Sequence, residues 1–431
     1  MINHGVTPDV TLQRLTNRDR TRLTSMREWI ATITLAAVVL AAQANAFTLS
    51  GGLVADDAGV TPKLSHAALI IASALLLRGR IARPRAELLL YFVVMITTTL
   101  MAYALLESRV AVLKLFIALY VAVIAGAMGR VAGPRVVLRA CRAASVAFLL
   151  IITMKNAQHI PAFVAHLASP SGHPDVPSLS AGGLNIEATW LGLSSIFLIG
   201  TALFVPYVLM AAATSMVYAT RAGIVVAVVA VIAALAHAWG TRRAARIAAA
   251  TLGTTPRPGT RWVRAQRAFA LGIASTALVG ALAAVSYVQQ YGDAAYVARR
   301  FSTIGEEPGS MGRLTLWRGG LTVFADYPFG VGVGNAIPVL RRVFGVDVPE
   351  DNLHNIYLQH AVETGIPGLI VLLLFAATVA RRALATRCTD HLLLFVAAYF
   401  VVGVIQFTGV DGMLWLVYGL QSGVSSGGDH A

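Results

Sequence analysis

The residues best placed to do chemistry lie between Gln289 and Thr364, the longest segment outside the basic loops, where six Arg are mixed with eight Asp or Glu. Gly312 to Ala325 reads as a helix that sets Arg313 and Trp317 one turn apart, and Tyr327-Pro328 stops it. The run Phe329-Gly330-Val331-Gly332-Val333-Gly334-Asn335 places glycine at every second residue, which permits positive φ and close backbone approach. It fits neither G-x-G-x-x-G nor a P-loop, and no βαβ pattern surrounds it, so its bland reading is a tight connector between helices. A second helix, Ala336 to Phe344, carries Arg341 and Arg342. A third begins near Asp351 or Asn352 and presents His354, Asn355, Gln359, His360 and Glu363. His360 and Glu363 have a spacing that two metal ligands can share, but a third ligand is lacking, so no metal is expected.

These residues need elements to hold them, and composition says what kind. At 57% hydrophobic and 13% charged, with a mean hydropathy of +0.71, the chain has too little polar surface for a water-facing globule. A bilayer span takes about 20 mainly apolar residues. Runs of this kind occupy 29–48, 64–77, 87–106, 110–129, 143–160, 222–239, 268–288, 366–380 and 391–408, with a further apolar stretch at 186–219. The net charge of +14 comes largely from Arg clusters between those runs, at Arg14–Arg27, Arg78–Arg85, Arg130–Arg142, Arg242–Arg267 and Arg381–Arg387. That is the positive-inside pattern and not a nucleic-acid patch. With all five clusters on the cytoplasmic side, 186–219 has to cross twice, turning near Gly200 to Pro206, or form a re-entrant hairpin; 391–420 likewise turns at Gly409 to Gly412.

The expected fold is an all-α polytopic membrane protein of about 12 transmembrane helices. Residues 1–28 form a cytoplasmic segment, 29–288 helices 1–9, 289–364 a helical periplasmic loop domain, 365–420 helices 10–12, and 421–431 a cytoplasmic tail. Ala44-Asn45-Ala46 resembles a signal-peptidase site. Cys141 and Cys388 flank cytoplasmic Arg clusters, where thiols stay reduced. Lys114 and Lys155 are the main charges inside apolar runs.

The parity of the spans puts Arg221 at the outer end of one of them. A snorkelling interfacial Arg is the bland reading; an anion-binding Arg in a water-filled cavity, with phosphate as the anion, is the functional one.

Gly312-Arg313-Leu314 with Leu316-Trp317-Arg318, the Tyr327–Asn335 run, His354-Asn355-Ile356-Tyr357-Leu358-Gln359 and Glu363-Thr364-Gly365-Ile366-Pro367-Gly368 together resemble the signature of the O-antigen ligase and O-antigen polymerase superfamily. Thr220-Arg221 is similar to the family's Ser-Arg pair, with Thr in place of Ser. The resemblance implies a glycosyltransferase in the bacterial inner membrane, with its active site on the periplasmic side. It would take a glycan from undecaprenyl diphosphate and join it to a hydroxyl of lipid A-core, without a cofactor. It implies that Arg221 and Arg313 hold the diphosphate and that His354 is the general base, giving inversion at the anomeric carbon. Trp317, Arg318, Arg341, Arg342, Asn355, Gln359 and Glu363 are the candidates for contacting substrate. Polymerases of the superfamily would use a second lipid-linked glycan as acceptor. Two further readings are a metal-dependent polyprenyl-phosphate glycosyltransferase, on the strength of Asp56-Asp57, and a lipid-linked oligosaccharide flippase. Besides the donor and acceptor, the expected partners are membrane lipids.

Overall fold

A computed structural model describes residues 9–47, 63–77, 84–102, 110–168, 174–218, 220–251, 308–345, 352–407 and 409–426. The apolar run 268–288, the acidic pair Asp56-Asp57 and the start of the 289–364 segment lie outside them. Among the described residues the chain is helical, with no strand: α1 (Asp9–Gln43), α2 (Leu64–Leu77), α3 (Ala86–Met101), α4 (Val110–Gln158), α5 (Ile160–Ala168), α6 (Gly183–Ser194), α7 (Phe204–Val217), α8 (Arg221–Thr251), α9 (Pro308–Asp326), α10 (Ala336–Phe344), α11 (Ile356–Ala385), α12 (His391–Val402) and α13 (Gly412–Ser426). Four segments are long and apolar enough to cross a membrane: Ser25–Gln43, Val112–Gln158, Arg221–Ile247 and Ile356–Ala385. The shorter apolar helices are also greasy on the outside, as a lipid-facing surface requires: α3 exposes Leu89, Leu90 and Val93 while burying Leu88, Tyr91, Phe92 and Met95. This is an all-α, multi-pass membrane protein.

α4 corrects one expectation. The Arg130–Arg142 segment is not a loop between two spans but helix, broken once at Gly133 (φ 77°, ψ 168°) just before Pro134. Proline cannot donate its missing N–H and glycine tolerates the positive φ, so the two halves meet at a hinge of a single residue. The apolar stretch at 186–219 does divide in two, with α6 and a short 3₁₀ turn (Ser195–Leu198) leading through Gly200 to α7. Every residue from Glu187 to Ile199 is buried, so α6 stands inside the bundle rather than facing lipid. Polar seams hold it there: the Gln43 amide donates to Ser194 Oγ at 2.6 Å, and Arg142 Nε donates to Phe197 O at 2.8 Å.

α4 and α13 cross at backbone contact. A methyl group added at Gly423 would fall 1.9 Å from Gly126 O, and one at Gly129 would fall 2.3 Å from Leu420 O. Small residues spaced four apart on α13, Gly419 and Gly423, are what this approach demands. Tyr91, Phe375, Trp415 and Tyr418 pack as an aromatic group beside the crossing.

α9, α10 and the first turns of α11 share a second, smaller core built on Leu316, Val323, Val331, Ile337, Leu340, Leu353 and Val362. The third helix of this region starts at Ile356, not near Asp351 or Asn352. The Ile356 N–H donates to Gly403 O at 2.8 Å, which ties the helix start to the turn after α12. The Asn355 side chain caps it, accepting from the Tyr357 and Leu358 amides at 3.0 Å each.

Candidate functional site

α11 is broken at Gly365 (φ 66°, ψ −162°), two residues before Pro367, and this break builds the site. In an unbroken helix the carbonyl of Val362 would accept from Ile366 N–H, and that of Glu363 from residue 367. Here Ile366 N–H turns to Pro328 O at 2.8 Å, and Pro367 has no N–H. The two buried carbonyls take other partners: Val331 N–H donates to Val362 O at 3.0 Å, and Gly332 N–H to Glu363 O at 2.8 Å. The glycine run at 330–334 is therefore bonded to the break in α11. Gly330 (φ 90°) and Gly365 lie so close that a methyl group on either would strike the other's backbone neighbours, at 2.4 Å from Glu363 O and 2.3 Å from Pro328 O respectively.

A side-chain relay carries this geometry to His354. Gly334 N–H donates to Glu363 Oε1 at 2.8 Å, Gln359 Nε2 donates to the same oxygen at 2.5 Å, and Gln359 Oε1 accepts from Leu353 N–H at 2.8 Å. Gln359 and Glu363 are each 4% exposed. Next to Leu353, His354 adopts a left-handed backbone (φ 50°), which Asn352 stabilises by accepting the His354 N–H at 2.8 Å. Trp317 braces the same turn from α9, its indole N–H donating to Leu353 O at 2.8 Å. One turn earlier, Arg313 Nη1 donates to Ile405 O at 3.4 Å.

His354 is thus the half-buried residue around which Arg313, Trp317, Asn352 and Asn355 converge. Its Nδ1 is buried without a protein hydrogen-bond partner. Burial first, and then the Arg313 guanidinium, push its pKa down from the usual 6.5 to about 4, so the imidazole is neutral at pH 7.

Arg221 heads α8. A buried cluster fixes the chain just before it: Tyr218 OH and Lys155 Nζ each lie 2.5 Å from Glu187 Oε1, and Thr220 N–H donates to Ser215 O at 2.8 Å. α6 carries both Ala188, against which Gly223 packs, and Trp190, which stacks on Phe407 at 4.7 Å. Phe407 and the Arg313 contact Ile405 belong to the same turn after α12, so α6, on which the start of α8 packs, and Arg313 both meet that turn. Arg318, Arg341 and Arg342 are exposed on α9 and α10. Asn355, Gln359 and Glu363 direct the hydrogen bonds described above to the protein itself: Asn355 caps α11, and the other two hold the relay.

His360 is fully buried and engaged on both nitrogens. Nδ1 lies 2.9 Å from Ile356 O and must carry the proton, so Nε2 accepts from Tyr91 OH at 2.6 Å. Among the described residues no three His, Cys, Asp or Glu come together as a metal site. Sequence reasoning gave no weight to the Glu187 cluster, although the mid-span Lys155 signals it.

A family model described as O-antigen ligase matches residues 206–373, from α7 into α11. The matched stretch holds Arg221, Arg313 and His354, together with the glycine run and the Gly365 break, and bears out the resemblance carried by those motifs. A search of curated proteins finds no match.

Proposed function

We propose that the protein is an O-antigen ligase-type glycosyltransferase that moves a glycan from undecaprenyl diphosphate to a hydroxyl of lipid A-core at the periplasmic face of the inner membrane. The observation that carries this reading is the turn at His354, where a neutral imidazole with an unbonded Nδ1 is held beside the Arg313 guanidinium. In the proposed reaction the acceptor oxygen attacks the anomeric carbon and its proton passes to His354. The bond from that carbon to the phosphate oxygen breaks, and the diphosphate leaves with the electron pair on the opposite face, so the configuration inverts. Arg221 and Arg313 bind the departing phosphate oxygens. Arg318, Arg341 and Arg342 lie on exposed faces where a charged glycan can reach them, while Trp317 fixes the wall of the site.

The placement of Arg313 gives the base a specific property. Its charge depresses the proton affinity of His354 in the empty site, and a bound diphosphate offsets that charge. His354 therefore becomes a stronger base once the donor is in place, which ties proton removal to donor occupancy.

The test supplies a purified undecaprenyl-diphosphate-linked glycan with lipid A-core or with a second lipid-linked glycan as acceptor. Transfer to lipid A-core, falling about 10²–10⁴-fold in His354→Ala while donor binding persists, is the expected result. Transfer to the lipid-linked glycan alone would replace the ligase with a polymerase. A stable His354→Ala protein with undiminished turnover would remove the base.

A further inference from the structure

Beside the start of α8 lies a buried ion pair to which the transfer reaction gives no role. Lys155 Nζ and Glu187 Oε1 are 2.5 Å apart, and the two side chains are 8% and 0% exposed. Such a pair stabilises a fold little, because the attraction between the charges is offset by their loss of water, and an apolar pair of similar volume is often as stable. What an apolar pair cannot do is aim a hydroxyl or a backbone N–H.

Glu187 aims both. Tyr218 OH donates to Oε1 at 2.5 Å, and Leu179 N–H donates to Oε2 at the same distance. The phenol oxygen also lies 2.8 Å from the Asn156 amide. Lys155 Nζ is 5.0 Å from the centroid of the Tyr218 ring, and Phe163 stacks on that ring at 6.1 Å, so ring and hydroxyl are both held.

Tyr218 follows α7 directly and stands three residues before Arg221. The residues on either side of Arg221 are fixed as well. Thr220, 1% exposed, donates its N–H to Ser215 O at 2.8 Å. A methyl group added at Gly223 would fall 2.1 Å from Ser215 Oγ and 3.0 Å from Ala188 Cβ, so α8 begins in contact with both α7 and α6. Ala188 is the neighbour of Glu187 on α6. One helix therefore supplies the carboxylate that orients Tyr218 and the surface on which α8 rests, and Arg221 stands between these two points.

We propose that Glu187 and Lys155 are positioning residues for Arg221. Through Tyr218 they set the register at which α8 begins, and so the point from which the guanidinium meets the diphosphate of the donor. A planar fork makes its paired phosphate contacts from one direction only, so a shift of about 1 Å at its root costs affinity far more than stability. The inference rests on the transferase reading in one respect, that a diphosphate is what Arg221 holds.

The test replaces the pair by Lys155→Met/Glu187→Leu in the full chain in dodecyl maltoside micelles and measures the binding of undecaprenyl diphosphate by microscale thermophoresis. Thermal melting should stay close to wild type, while affinity for the carrier falls about tenfold or more. In an Arg221→Ala background the same replacement should weaken binding no further, because the group it positions is gone. Tyr218→Phe removes one hydroxyl and leaves the ion pair; it should act in the same direction, be masked in the same way, and carry the test if the replaced pair does not fold. In the transfer assay the donor KM should rise and the acceptor KM should not. Unchanged affinity in both variants, or equal weakening with and without Arg221, overturns the positioning role and leaves the transferase intact. The binding cycle needs no turnover, so a wild type that binds the carrier but transfers no glycan strikes the transferase reading alone. A wild type that does not bind undecaprenyl diphosphate overturns both.

Discussion

Replacing Gly330 by Ala tests whether the glycine run and the α11 break are one unit. Gly330 has φ 90°, a conformation that costs an L side chain about 1–3 kcal/mol. The added methyl would lie 2.4 Å from Glu363 O and 2.7 Å from Gly365 N, both backbone atoms, so the two segments must separate. Separation removes the Val331–Val362 and Gly332–Glu363 bonds, each worth about 1 kcal/mol net and more where the carbonyl stays buried. The sum is about 3–6 kcal/mol. Gly345→Ala is the control, because Gly345 also has positive φ (61°) but nothing within 4 Å of the added methyl; its cost is about 1–2 kcal/mol. Unfolding of both variants in the same detergent, by heat and by denaturant, should rank Gly330→Ala well below Gly345→Ala. Gly365→Ala should be as damaging as Gly330→Ala, and the double variant less so than the sum, since the first substitution already parts the segments. Equal melting of the Gly330 and Gly345 variants, or strict additivity of Gly330 and Gly365, would refute the lock.

Two predictions concern the chemistry. With His354 at about 4 in the empty site, the base form is present above that value and lost as pH falls through it, so the acidic limb of kcat/KM should lie near pH 4–5; a limb at pH 6–6.5 would show that a different or unperturbed group is titrating. Arg313→Lys and Arg221→Lys should each lose turnover and donor affinity about as badly as Ala, because an ammonium cannot supply the planar fork, and full rescue by Lys would reduce both arginines to plain charge.

The sequence made the helices legible wherever local signals were strong. The Ala336–Phe344 helix has its read boundaries, closed by Gly345, and the Gly200 turn inside 186–219 stands where span parity requires a break. Arg130–Arg142 misled because a row of basic residues reports a side of the membrane and not a loop; the chain there stays helical on both sides of Gly133. The start of α11 was placed too early because Asn352 and Asn355 are both good caps, and only the tertiary bond from Ile356 to Gly403 decides between them. Arg313, Trp317 and His354 were legible as candidates from type and spacing. That Gln359 and Glu363 face inward was not, because only the fold supplies Leu353 and Gly334 as partners.

The crossing of α4 and α13 bears on how the molecule is made. Gly126 and Gly419 touch in the finished bundle but are about 290 residues apart, an interval that takes roughly 15–60 s to synthesise at 5–20 residues per second. During that time the glycine face of α4 lacks its α13 partner, and acyl chains fill so narrow a backbone groove poorly. The last of the described helices therefore closes a seat prepared long before. Its head is led by Asp411, whose carboxylate accepts from Tyr399 OH and from Gly409 N–H and so fixes the turn that carries Ile405.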